Sequence, residues 1–327
     1  MRLSQNRRLI AGGFCLWLAM TNSALAAPVC SERARPAGLS RIAAVMATGR
    51  FVAYQPTSHQ VYDGVSTQAD PASIAQDLKA LRPRFDGLIT YTSRHGVERV
   101  PEVAARLGYR AVIMGVYDLA DATERANVAA AARAHKIVAG ASIGNEVVLS
   151  RRGSFADVAK AMAQMRAVAP GLALATTEPF HLLLTAEAAP ALVQSDLLLV
   201  NVHPVFEPWF QSAPEASAAQ FVVNVTDMLA QVHCGPVLVK ETGVPTAPSG
   251  KGFTPESQAA FYAELQKQFA PSRTRAFAYF SAFDAPWREF DAHPTPGPHP
   301  EEAHWGLYDK ARKAKPAVKT IPQLPTR

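Results

Sequence analysis

Ile137-Val138-Ala139-Gly140-Ala141-Ser142-Ile143-Gly144-Asn145-Glu146 is an apolar run that stops on a polar pair. A second run, Pro236-Val237-Leu238-Val239, stops on Lys240-Glu241-Thr242-Gly243-Val244-Pro245. Each places a Glu where a strand ends. Working outward from these two, short β-rich runs recur at Phe51 to Tyr54, Gly87 to Tyr91, Arg110 to Tyr117, Leu172 to Thr177, Asp196 to Val202 and Arg275 to Phe280. With the first two, that makes eight. Helical patterns lie between them, opened by Asp70-Pro71, Asp121, Ser154 and Thr254-Pro255, where a side-chain acceptor can cap and Pro suits the first helical position. Alternation of this kind signals repeated βα units on a parallel sheet, and eight strands close a barrel. A doubly wound sheet with a dinucleotide loop is the rival, but the turn after the first run reads Tyr54-Gln55-Pro56-Thr57 and has no glycine fingerprint. The fold class is therefore α/β, a single (β/α)8 TIM barrel.

Barrel enzymes carry their sites at the C-terminal ends of the strands. The residues there are Tyr54, Tyr91, Asp118, Asn145 with Glu146, Glu178, Asn201 with His203, Glu241, and Phe283 with Asp284 and Trp287. This rim is acidic, aromatic and amide-bearing, which suits a sugar: aromatic faces stack on C–H surfaces, amides bind hydroxyls, and two carboxylates flanking one bond cleave it.

The chain resembles glycoside hydrolase family 17, the β-1,3-glucanase family, and most closely its bacterial branch. The resemblance runs from about Phe51 to Asp309. It rests on Gly144-Asn145-Glu146-Val147, on Lys240-Glu241-Thr242-Gly243-Val244-Pro245-Thr246, and on three further segments: Asn201 to Phe206, Tyr279 to Trp287 and Glu302 to Tyr308. It implies a retaining mechanism with Glu146 as proton donor and later base and Glu241 as nucleophile, their carboxyls roughly 5 to 5.5 Å apart. It assigns Asn145 to the sugar 2-hydroxyl. Tyr54, Tyr91, Asn201, His203, Phe283, Asp284 and Trp287 complete the expected substrate-binding set, with structural packing the alternative for both Tyr54 and Tyr91 and a structural hydrogen bond the alternative for His203. Glu178 is expected to bind substrate or make a salt bridge, without a catalytic role. The chain departs from the family where a second carboxylate is frequent after the eighth strand, since Ala285 stands there, and where Lys is common, since Arg288 does.

Arg2, Arg7 and Arg8 precede the apolar stretch Leu9 to Met20, and Ala24-Leu25-Ala26 follows it, so residues 1–26 read as a secretory signal peptide cleaved after Ala26. Residues 27–310 are then the catalytic domain and residues 311–327, rich in Lys and Pro, a loose C-terminal tail. Losing the signal takes the formal charge of the 327-residue chain from +6 to +3, because it removes three Arg and no acid. No basic and aromatic interleaving points to nucleic acid. The expected product is a secreted or periplasmic monomer, off the membrane once the signal is cleaved, with a β-glucan oligo- or polysaccharide as partner and no cofactor. The nine His do not fall into a ligand-spaced cluster, which argues against a metal-dependent deacetylase or phosphatase. The mature chain keeps Cys30 and Cys234, and the sequence leaves open a disulfide or two buried thiols.

The leading expectation is hydrolysis of β-1,3-glucan, or of mixed β-1,3/β-1,6-glucan. A glucan transglycosylase using the same two glutamates and a noncatalytic glucan-binding barrel are the alternatives. The Pro-rich stretch 292–300 is expected to lid the cleft.

Overall fold

The structure is a computed structural model that describes residues 28–30, 33–213, 215–290 and 297–325. The expected signal segment lies outside the described residues, as does most of the expected lid. Eight parallel strands close the barrel: β1 (Phe51–Ala53), β2 (Gly87–Ile89), β3 (Ala111–Val116), β4 (Val138–Asn145), β5 (Ala173–Pro179), β6 (Leu198–Asn201), β7 (Val237–Glu241) and β8 (Arg275–Tyr279). Neighbours in the chain are neighbours in the barrel, and β8 pairs with β1 to close it. All eight expected strands are present, most of them trimmed or shifted by one to three residues. The expected helix starts are also present. Asp70, Asp121, Ser154 and Thr254 each accept a first-turn backbone N–H, and Ser154 and Thr254 complete reciprocal capping boxes with Asp157 and Ser257.

The strand period of two sorts each run between two cores. Phe51, Ile89, Ala111, Ile113, Ala173, Ala175, Leu197, Leu199, Leu238, Ala276 and Ala278 form one buried cluster, the barrel interior, with Leu39, Ile42, Val45 and Met46 of helix α1 (Ala37–Thr48). That helix seals the barrel at the end opposite the site. A Cβ on its Gly38 would come within 1.8 Å of the Ala139 carbonyl oxygen, so only glycine lets the helix start so close to β4. The alternate strand residues, such as Val112, Met114, Val200 and Val239, join the larger core between strands and outer helices.

Two features differ from expectation. A small antiparallel hairpin, Val61–Tyr62 with Val65–Ser66, decorates the loop after β1. Residues 311–325 are not loose. Arg312 Nε lies 2.7 Å from the buried Asp77 Oδ1, Lys315 Nζ lies 2.6 Å from Asp284 Oδ1, and Ala317 and Ile321 are fully buried. The Lys and Pro content suggested solvation, but the lysine and arginine there find carboxylates and the interspersed apolar residues complete the core.

Cys30 and Cys234 are joined as a disulfide, Cα to Cα 5.0 Å, and a parallel bridge between Val29 and His233 runs beside it. The N-terminal segment is thereby tied to the chain just ahead of β7, the strand that carries Glu241.

Candidate active site

Two register irregularities prepare the site. The β4 and β5 pairing shifts between Ser142 and Asn145, and the β6 and β7 pairing shifts between Val200 and Asn201. Such shifts re-aim the side chains beyond them. After Ser142 the chain passes through Gly144 at φ 79° and Glu146 at φ 51°. A non-glycine residue in the left-handed region costs on the order of 1 kcal/mol, so the surroundings must hold it. Glu146 N donates to Thr177 O at 2.8 Å, and the following turn is held by Glu178, whose two carboxylate oxygens accept from Val148 N at 2.8 Å and Leu149 N at 3.2 Å. Glu178 is thus fully buried and spent on backbone. It makes no salt bridge among the described residues, and its work is to position the turn that presents Glu146. Burial pushes its carboxyl up to about 7, with those backbone donors opposing the shift.

Asn201 Nδ2 donates to Glu146 Oε1 at 2.9 Å. In the barrel register Asn201 lies opposite Glu241, so the residue that holds Glu146 sits on the strand beside the one that carries Glu241. Glu241 is 5 % exposed. Its Oε2 is 3.6 Å from His203 Nε2 and its Oε1 is 3.0 Å from Lys240 Nζ. The Lys240 contact is an ion pair without the alignment of a hydrogen bond.

The electrostatics separate the two acids. Desolvation raises the Glu146 carboxyl above its ordinary value, and the nearby Glu241 charge raises it further. Desolvation acts on Glu241 in the same sense, but Lys240, His203 and Arg288 together outweigh it and hold Glu241 at about 2. Two carboxyls in one buried site are thus biased in opposite senses, Glu146 toward its protonated form and Glu241 toward its ionised form, the separation that an acid and a nucleophile require.

His203 sits in an aromatic cage, with ring centroids 5.5 Å from Phe206, 5.2 Å from Phe280 and 5.1 Å from Trp305. The Tyr262 hydroxyl, reaching in from the helix Pro255–Gln268, donates toward Phe280 O at 2.9 Å and Thr242 O at 3.0 Å and ties the tops of β8 and β7 together. Tyr91 brings its ring beneath Lys240, with Nζ 4.2 Å from the centroid. Tyr91 Oη, Asn201 Oδ1, His203 Nδ1 and Trp305 Nε1 are buried without a hydrogen-bond partner among the described residues. Unpaired buried polar atoms are costly, and a cluster of them at one end of the barrel fits a site whose partners arrive with a polyhydroxylated ligand.

The structure brings Asn145, Glu146, Tyr91, Asn201, His203 and Glu241 together. Trp287 lines a cleft beside Tyr91 with Ser281 and Arg288. Tyr54 does not belong to this group. It is fully buried, and its hydroxyl donates to Asp77 Oδ2 at 2.9 Å, so it braces β1 against helix α2 (Pro71–Leu81) instead of offering a group to a ligand. Asp284 borders the cleft, but Oδ1 is taken by Lys315 Nζ and by Gly306 N at 2.9 Å. Phe283 packs between Tyr54 and Tyr308, with centroids at 6.3 and 5.7 Å. Both therefore shape the wall behind the cleft. Sequence reasoning did not assign Lys240 or Trp305 to the site. Lys240 had a readable signal, since period two from the interior residue Leu238 aims it into the barrel.

A family model described as the BtgE/BtgC glycoside hydrolase domain matches residues 52–306. The chain belongs to this glycoside hydrolase family. The matched stretch holds both carboxylates and every strand end described above. A glucan 1,3-beta-glucosidase of Arthroderma benhamiae is 25% identical over 265 residues, which cover 75% of this chain and 84% of that protein. Among solved structures, the glycoside hydrolase family 17 beta-1,3-glucanosyltransferase of Rhizomucor miehei is 19% identical at a TM-score of 0.62, covering 84% of this chain and 98% of the other. An active-site mutant of the Rhizomucor enzyme in complex with laminaritriose gives 0.63 at 18% identity, with 84% and 97% covered. The fold of this glycoside hydrolase is thus shared along nearly the whole of those enzymes.

Proposed function

We propose that this glycoside hydrolase is a secreted, retaining enzyme of family 17 that cleaves β-1,3-glucan, or mixed β-1,3/β-1,6-glucan, by double displacement. The observation that carries the reading is the opposed electrostatic bias of two buried carboxyls, Glu146 raised by burial and by the Glu241 charge, and Glu241 held at about 2 by Lys240, His203 and Arg288. A protonated carboxyl and an ionised one are what the first step consumes. Glu241 attacks the anomeric carbon, the glycosidic C–O bond breaks, and its electron pair leaves on the oxygen that takes the Glu146 proton. Glu146, now ionised, then draws a proton from water or a sugar hydroxyl, which displaces Glu241 from the glycosyl ester. Positive charge develops on the sugar ring in both steps, and an amide on the 2-hydroxyl stabilises it; we assign that role to Asn145.

The linkage assignment draws on the relatives, a glucan 1,3-beta-glucosidase and a transferase captured with laminaritriose. Secretion is supported by the signal-like segment 1–26 and by the Cys30–Cys234 disulfide, a bond that persists in oxidising compartments. Transfer to a sugar acceptor is the second reading. A groove of about 470 Å³ bordered by Phe206, Gln211, Lys251 and Phe253 opens beyond His203 and gives an acceptor room.

Incubation with laminari-oligosaccharides, followed by proton NMR of the first-formed anomer and chromatography of the products, tests both. The β anomer is expected first, and an α anomer would defeat the assignment. Products longer than the substrate would make transfer the dominant outcome.

A further inference from the structure

Lys240 occupies a position that barrels ordinarily fill with an apolar side chain. It follows Leu238 by two residues on β7, so it points into the barrel, and it is 1 % exposed. Burying an ammonium costs several kcal/mol unless it is well paired. Its surroundings meet that need: Nζ lies 3.0 Å from Glu241 Oε1, donates to Asn145 Oδ1, and rests 4.2 Å from the Tyr91 ring centroid. One cation thus touches the nucleophile and the residue next in sequence to the acid.

We propose that Lys240 is a positioning residue that serves as a fixed counter-charge shared by the two catalytic carboxylates through the reaction cycle. The inference rests on the roles proposed above for Glu146 and Glu241. Before the first step the pair carries one negative charge, on Glu241. When Glu241 becomes the ester and Glu146 gives up its proton, the pair still carries one, now on Glu146. Lys240 is attracted by both carboxylates, so the negative charge crosses the site without leaving the field of its cation. The contact with Asn145 Oδ1 has a second effect, because it leaves Asn145 Nδ2 as the group offered to a sugar hydroxyl. The other groups facing Glu241 are His203 from the end of β6, Arg288 from the short helix Pro286–Phe290, Tyr91 from the end of β2 and Glu146 from the end of β4. Arg288 is also paired with Glu302 at 2.9 Å and its side chain is partly exposed, whereas Lys240 is buried against Glu241.

The test uses a 2,4-dinitrophenyl 2-deoxy-2-fluoro-β-laminaribioside, whose leaving group departs without acid assistance. Its rate of trapping therefore reports only the ionisation of the nucleophile. In the parent enzyme the rate should be flat from about pH 8 to about pH 4. In Lys240→Met and Lys240→Gln it should fall at least about tenfold over that range, because a buried carboxylate without its cation takes up a proton. Lys240→Gln keeps a donor to Asn145 and serves where the Met variant does not fold; circular dichroism checks both. Flat profiles in a folded variant would overturn the proposal. In the unmutated enzyme, the 15N signal of Lys240 Nζ should remain that of an ammonium before and after trapping. Its deprotonation on trapping would also overturn the proposal. Peptide mapping of the trapped parent enzyme keeps the two readings apart: a label on a residue other than Glu241 would sink the nucleophile assignment itself, whatever Lys240 does.

Discussion

Asn201 Nδ2 donates to Glu146 Oε1 at 2.9 Å while the Asn201 backbone is in register with Glu241. A single residue therefore bears on both the ionisation of Glu146, the proposed acid, and its place relative to Glu241, the proposed nucleophile. Donation favours the ionised form of Glu146 and so opposes the rise that burial and the Glu241 charge impose. Removing the donor should let that rise proceed. In Asn201→Ala the basic limb of the kcat/KM profile, which reports loss of the acid's proton, should move up by about one pH unit, while kcat falls. A pH series on an aryl laminaribioside measures it. A basic limb that stays put or moves down would show that Asn201 does not control the acid.

The unequal roles proposed for the two carboxylates can be separated by the stereochemistry of rescue. Glu146→Ala should lose roughly 10²- to 10⁴-fold on natural glucan yet much less on a dinitrophenyl glycoside, which needs no acid. Added azide should restore turnover of the glycosyl ester and give a β-glycosyl azide. Glu241→Ala removes the nucleophile, so azide must attack the substrate directly and give an α-glycosyl azide. Identical azide anomers from the two variants would reverse or void the assignment.

Glu178 predicts a pH dependence of stability. Its folded carboxyl is raised to about 7, above the ordinary carboxylate value, so the protonated form is the one the fold favours. The stabilising contribution is fully present below the unfolded pKa of about 4.3 and is lost as pH rises from there through 7, a change of about 4 kcal/mol from a shift of that size. Glu178→Gln, which cannot ionise, should gain on the parent enzyme in melting temperature between about pH 4 and pH 7.5. Melting curves that stay parallel across that range would mean that the parent pays no ionisation cost there.

Much of this arrangement was legible in the chain because it depends on local periodicity. Apolar runs ending in Asn145-Glu146 and Lys240-Glu241 place two acids at strand ends whatever the rest of the fold does. What was not legible depends on partners distant in sequence. Tyr54 lies at a strand end like Tyr91, but Asp77, twenty-three residues on, claims its hydroxyl. Asp284 resembles a ligand-binding acid until Lys315 arrives from a segment that reads as a solvated tail. Lys240 is the converse case. Period two aims it inward, but a lysine beside a strand end is commonly solvated, and only the contacts with Asn145, Glu241 and Tyr91 show why it is buried.

The Cys30–Cys234 disulfide should matter to stability and not to catalysis. It joins residues 204 apart and ties the N-terminal segment beside the turn into β7, whereas every group that touches the two carboxylates lies at the other end of the strands. Closing a loop of that length restricts the unfolded chain and contributes about 3 to 5 kcal/mol. Cys30→Ser, Cys234→Ser and the double variant should therefore show the same loss in melting temperature, roughly 5 °C or more, with kcat unchanged at a temperature where all remain folded. Reductant should lower the parent enzyme to the same value and leave the variants unaffected. Unequal single variants, or a fall in kcat without a fall in melting temperature, would mean that the bond acts on the site through β7 instead of on the unfolded chain.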